Sequence, residues 1–191
     1  MYVADFYNGR VQSFPITTSS GSPNGTTILG EFPDRSNYSM YVNVDCMAFD
    51  RIRNLLYLCI SFTDHLLILN TTENNVVIIT DSELSVINRS IQIHPSGIVI
   101  DETSDIFYVS DGWLRIVVKF EIGSTTGIIV AGRMVSNSFF NQLNTPQGLA
   151  LDSSGYLYIV DFGLNRIVQL LNDYGDFRVI AGELYLHNSY I

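Results

Sequence analysis

Three observations predict an all-β chain made of copies of one four-stranded unit, the architecture of a β-propeller. Apolar stretches ending in aspartate (DCMAFD, SGIVID, QGLALD) recur at Asp50, Asp101 and Asp152, 51 residues apart each time. Strand-like runs closed by a turn residue (TTILG, VVIITD, IIVAG, RVIAG) recur at Gly30, Asp81, Gly132 and Gly182, at spacings of 51, 51 and 50. No segment carries the apolar period of a long amphipathic helix; the apolar runs are short and bounded by Gly, Asp, Asn and Ser. A fixed period of this length with four short strands in it is the sequence mark of a propeller blade.

The elements follow in order within each period. Strand A (as in GLALD) ends in the recurring aspartate, whose carboxylate can accept backbone N–H bonds of the next turn; DSSG is such a turn. Strand B (YLYIVD) carries Tyr57, Tyr108 and Tyr158, with Tyr2 as the matching residue of an earlier copy, and ends in Asp5, Asp111 and Asp161. Strand C (RIVQLL) carries Phe14, Leu69, Phe120 and Leu170, each twelve residues past those tyrosines. Strand D (FRVIAG) closes the unit. The blades are expected at about 1–30 (partial), 44–81, 94–132 and 145–182, within one propeller region spanning 1–191. The first copy begins at strand B and has four extra residues, which fall in TTSSGSPNGT. Three full blades and part of another leave a propeller incomplete. The missing blades are expected from the rest of a longer chain, of which this would be a fragment, or from oligomerisation.

Bulk properties narrow the function. The formal net charge of −9, with ten basic residues scattered singly, argues against nucleic acid, whose phosphates such a surface repels. No apolar run is long enough to span a membrane as a helix. Cys46 and Cys59 flank the turn DRIRN, and counting inward from each makes them near partners on one hairpin. A disulfide and two buried thiols are both compatible with that spacing. Sequons at Asn24, Asn37, Asn70 and Asn88 lean toward an extracellular setting, with Asn37 and Asn88 as glycosylation candidates.

The unit Asn144 to Leu170, NTPQGLALDSSGYLYIVDFGLNRIVQL, resembles an NHL repeat, whose pattern runs P-x-G-[IL]-A-[LV]-D, then L-Y-V-x-D, then N-x-R-[IV]. YVADFYNGRV resembles it equally where it overlaps. The third copy agrees through Asp111 but has Arg115 one place early; the second has Ile60 where the others have Asp and His65 where the first and fourth have Arg. The resemblance implies blades around a central channel with strand A innermost. It implies no single activity, because such propellers serve in ubiquitin ligases, membrane kinase sensors, RNA-binding repressors and an amidating lyase.

A catalytic residue is normally unique, whereas these carboxylates are repeated. Asp50, Asp101, Asp152, Asp5, Asp111 and Asp161 therefore read as turn fittings, with Arg10 and Arg166 as charged partners across the turn after strand B. Only His65, His94 and His187 are present, and no second ligand recurs beside His94, so neither metal nor cofactor is expected; His94 stays as a weak binding candidate near the channel mouth. In an antiparallel meander the B-to-C and D-to-A loops share one end of the blade. Each B-to-C loop holds an aromatic: Phe6 and Tyr7, Phe62, Trp113, Phe162. They form either a partner-binding rim or wedges between blades. The expected function is a non-catalytic binding or scaffold module recognising a protein or peptide. The alternatives are part of a propeller enzyme, amidating-lyase or lactonase-like, which would need His, Asp or Glu on several inner strands, and the substrate-recognition part of a ubiquitin ligase.

Overall fold

The computed structural model describes residues 1–16, 24–30, 44–60, 65–73, 75–79, 85–86, 93–132 and 142–182. Phe62, Asn37, Asn88, Asp81 and His187 lie outside them.

The chain is all-β, with four sheets in sequence, one per blade. The first blade holds β1 (Tyr2–Asp5), β2 (Arg10–Ser13) and β3 (Thr26–Leu29). The second holds β4 (Cys46–Asp50), β5 (Leu55–Ile60), β6 (His65–Asn70) and β7 (Asn75–Ile79). A short strand β8 (Ser85–Val86) precedes β9 (Pro95–Asp101), β10 (Ile106–Asp111), β11 (Ile116–Glu121) and β12 (Thr126–Gly132) of the third blade. The fourth holds β13 (Pro146–Leu151), β14 (Leu157–Asp161), β15 (Arg166–Leu170) and β16 (Phe177–Gly182). Each blade is an antiparallel meander in chain order, and β4, β9 and β13 lie side by side as the inner strands. Among the described residues the first blade has three strands, which match B, C and D. The third has five, because β8 pairs in parallel with the start of β12. An outer edge strand offers unpaired backbone groups, and the connection between blades uses them.

Strand pairing repeats in detail. A register shift follows Val11, Val117 and Ile167, the second residue of strand C in three blades. Opposite it, Gly30 directly follows strand D and Gly132 and Gly182 end it, all at positive φ (84°, 106° and 92°). A Cβ at each would run into the carbonyl oxygen of Gly9, Arg115 or Asn165 respectively, so glycine is required there by both conformation and space.

The core is made between blades. Leu56, Leu58, Leu67 and Leu69 of the second blade pack toward Val11 of the first. Tyr57, Cys59 and Leu66 point the other way, against Phe107, Val109, Val118 and Phe120 of the third. Tyr108, Val117, Val130 and Ala131 then meet Leu157, Ile159, Val168 and Leu170 of the fourth. Neighbouring residues of one strand thus serve opposite interfaces, which is why the strands read as continuous apolar runs. The fourth blade repeats the pattern, and among the described residues no further sheet covers its outward face. Ser110, Val117 and Val130 are fully buried, whereas their counterparts Val160, Ile167 and Ile180 are 41%, 37% and 47% exposed. An apolar sheet face therefore stands open on this blade.

Cys46 and Cys59 are directly opposed on β4 and β5, with Cα atoms 5.1 Å apart, and form a disulfide. Closing a loop of this length removes unfolded-chain freedom worth about 3 kcal/mol. Urea denaturation with and without reductant should show a loss of about that size, and coincident curves would contradict the estimate.

Candidate functional site

The repeated carboxylates occupy two sets of turns. At the A-to-B turns, Asp50 Oδ1 accepts the amides of Ile52 (2.9 Å) and Arg53 (3.0 Å) while Oδ2 accepts Arg53 Nη1 (2.9 Å). Arg53 also bonds Asp105. Asp101 Oδ1 accepts the amide (3.0 Å) and hydroxyl (2.6 Å) of Thr103 and the amide of Ser104. The Thr103 hydroxyl, opposed by burial, holds the Asp101 carboxyl below the usual range. Asp152 accepts the amides of Ser154 and Tyr156 and, at 3.0 Å, the hydroxyl of Tyr158. Burial raises its pKa, but these donors together outweigh that and lower it. In the second blade Asp50 is taken by Arg53 instead, and burial first, then the Asp50 charge, pushes the Tyr57 phenol up to about 12.

The B-to-C carboxylates do more than brace their own turn. Asp161 accepts the amides of Asn144 (2.9 Å) and Thr145 (3.1 Å), at the entry to strand A of the same blade, as well as Arg166 Nε (2.9 Å). Arg166 Nη2 reaches the carbonyl of Gln142 at 2.6 Å, and its guanidinium lies over the Phe177 ring. This carboxylate and guanidinium clamp the incoming D-to-A segment onto the blade. The turn amides expected for Asp161 from sequence are replaced by amides sixteen and seventeen residues upstream, because the meander returns strand A beside the end of strand B.

Asp111 splits its bonds between the His94 amide (2.8 Å) and the Leu114 amide (2.7 Å). Its register partner is Ile116, where Asp5 has Arg10 and Asp161 has Arg166. Arg115, one place early in sequence, occupies the left-handed turn position (φ 63°) shared with Asn165. Burial, against these two amides, raises the Asp111 carboxyl pKa. Asp5 is more open: Arg10 (2.8 Å) first, then Asn8, lower its pKa. For His94 the structure engages the backbone amide in this clamp.

The described aromatics of the B-to-C turns, Phe6, Tyr7, Trp113 and Phe162, lie on the same end of the sheets. Phe6 and Tyr7 sit in a short 3₁₀ turn, Phe6–Asn8, closed by the Gly9 amide on the Phe6 carbonyl. Phe162 starts the matching turn Phe162–Leu164, closed by Asn165. Tyr7 is 95% exposed and Trp113 82%; Phe162 and Phe6 are exposed as well, Phe6 edge-on to Tyr7. Trp113 belongs to a blade packed on both faces, yet its ring stays in solvent, so it does not wedge between blades.

At the other end, the A-to-B turns of the second to fourth blades surround a cavity of about 380 Å³ lined by Arg51, Asp101, Glu102, Thr103, Asp152 and neighbours. Arg51 bonds Glu102 through its backbone amide at 2.7 Å and its side chain at 3.3 Å. Asp101 and Asp152 are committed to their turns, with pKa values lowered, which suits ionised acceptors and not a general acid. Among the described residues no group of three or more His, Cys, Asp or Glu side chains is placed to hold a metal. No helix among them is long and apolar enough to cross a membrane.

No family model and no curated protein matches the sequence. Among solved structures, a chain of the crystal structure of a nidogen/laminin complex is similar in fold, with a TM-score of 0.64 at 15% identity. The match covers 91% of this chain and 59% of that one, so this chain spans less than two thirds of its structural neighbour. With the successive antiparallel meanders and their inter-blade cores, the likeness establishes the fold as a β-propeller.

Proposed function

We propose that the protein is a propeller of the NHL type acting as a non-catalytic binding module, which takes a protein or peptide on the end formed by its B-to-C turns. The NHL assignment rests on the repeat pattern of Asn144 to Leu170 and its copies. The observation that carries the function is Trp113: a large aromatic, 82% exposed on a turn whose Gly112 and Leu114 amides bond Ser96 and Asp111, with Tyr7 on the corresponding turn two blades away. Neither ring contributes to a core, and exposed aromatics held on rigid turns supply contact area at low entropic cost. The carboxylates of the A-to-B turns are held by turn donors, and those of Asp111 and Asp161 are held in part by amides at the entry to strand A, which fits an architectural role.

The test selects peptides from a random displayed library on the immobilised chain and measures their affinity for variants. Trp113→Ala is expected to weaken binding by at least tenfold, the scale of an interface hot spot, with the urea midpoint unchanged. Tyr174→Ala, an equally open aromatic at the opposite end, should leave affinity alone. Peptides that bind Trp113→Ala and Tyr7→Ala as well as the parent would refute this face as the site.

A further inference from the structure

We propose that Asn70 is an N-glycosylation site and that its glycan marks the end of the propeller opposite the aromatic turns. Asn70-Thr71-Thr72 is a sequon with no proline, at the end of β6 where the chain turns toward β7. The carboxamide oxygen Oδ1 does all the bonding that the turn requires. It accepts the Thr72 amide (3.0 Å), the Thr72 hydroxyl (2.7 Å) and the Glu73 amide (3.1 Å). Thr71 ties the turn to the neighbouring one through the Asn54 carbonyl. These bonds leave the other end of the carboxamide, Nδ2, out of the turn's framework. A sugar on it keeps every one of these contacts, and Thr72 and Glu73 beside it are exposed.

A second observation supplies the compartment. The same blade is crossed by the Cys46–Cys59 disulfide, and a structural disulfide forms and persists where the environment is oxidising, which is the secretory route where asparagine is glycosylated. The chemistry needs a lipid diphosphate-linked oligosaccharide as donor. Nδ2 forms a bond to the anomeric carbon and loses one proton. The anomeric C–O bond to the diphosphate breaks, and the lipid diphosphate leaves with the electron pair.

Position gives the modification a consequence. Asn70 stands opposite Leu55 at the start of β5, whereas the B-to-C turns follow the other ends of the B strands. A glycan here shields the A-to-B end and leaves Trp113 and Tyr7 clear.

The test expresses the full chain behind a secretion leader in a eukaryotic host and maps its peptides after amidase release of N-glycans in ¹⁸O water. The Asn70 peptide should carry the label of a glycosylated asparagine. Occupancy should be lost in Thr72→Val, retained in Thr72→Ser, and one glycan's mass should disappear in Asn70→Gln, whose side chain keeps an amide oxygen for the turn. A folded, secreted chain with Cys46 and Cys59 oxidised but Asn70 unmodified would overturn the proposal, and so would a secreted chain with both thiols free.

Discussion

Asp161→Ala is expected to cost about 3–5 kcal/mol of stability, the penalty for breaking a buried ion pair by removing one partner. Asp161 is fully buried and the Arg166 side chain is only 7% exposed. Truncation leaves the guanidinium with the Gln142 carbonyl and the Phe177 ring, and strips the Asn144 and Thr145 amides of their acceptor. The same substitution at Asp5, where both partners are 24% exposed, should cost far less than at Asp161, because water replaces the lost partner. Equal losses at the two sites, read from urea denaturation, would show that burial is not what makes the clamp strong. The loss at Asp161 should also loosen the segment entering β13, seen as faster amide exchange at Asn144 and Thr145.

Phe107→Ala should be of similar size, about 3–5 kcal/mol, through a different mechanism. Phe107 lies in the layer between second and third blades, stacked on Phe120 at 5.0 Å between ring centroids and tilted against Tyr57 at 5.3 Å. Its removal leaves a cavity bounded by two sheets that are each stiffened by their own ladders and cannot collapse into it. In a repeat protein, stability is close to a sum of repeat terms and interfaces between neighbours, so this substitution weakens the link between two blades and leaves each ladder intact. A broadened or split unfolding transition is the expected sign. Phe162→Ala, removing an exposed ring, should leave the curve unchanged; a loss there matching that of Phe107 would mean that the turn aromatic is part of the core after all.

Much of the fold is written locally. A strand's boundaries depend on its own run of apolar residues and on the turn residues beside it, so the period and the A to D order could be read directly. The opposition of Cys46 and Cys59 follows from counting along one hairpin, although whether the sulfurs bond does not. Local reading stops where partners come from distant chain. The acceptors of the Asn144 and Thr145 amides, the parallel addition of β8, and the place of Ile116 where two other blades have arginine all depend on how separate segments meet.

Exposure is the clearest case. Trp113 and Phe107 are both aromatic residues of one blade, six positions apart, and nothing in their immediate neighbours says that one is 82% exposed and the other 1%. By itself the sequence determined the repeat, the strands and the turn chemistry, because these rest on interactions within a few residues or across one hairpin. Only the tertiary structure decided which aromatics reach solvent, which carboxylate is a buried clamp and which face of the fourth blade stands uncovered, because each is set by the presence or absence of a neighbouring sheet.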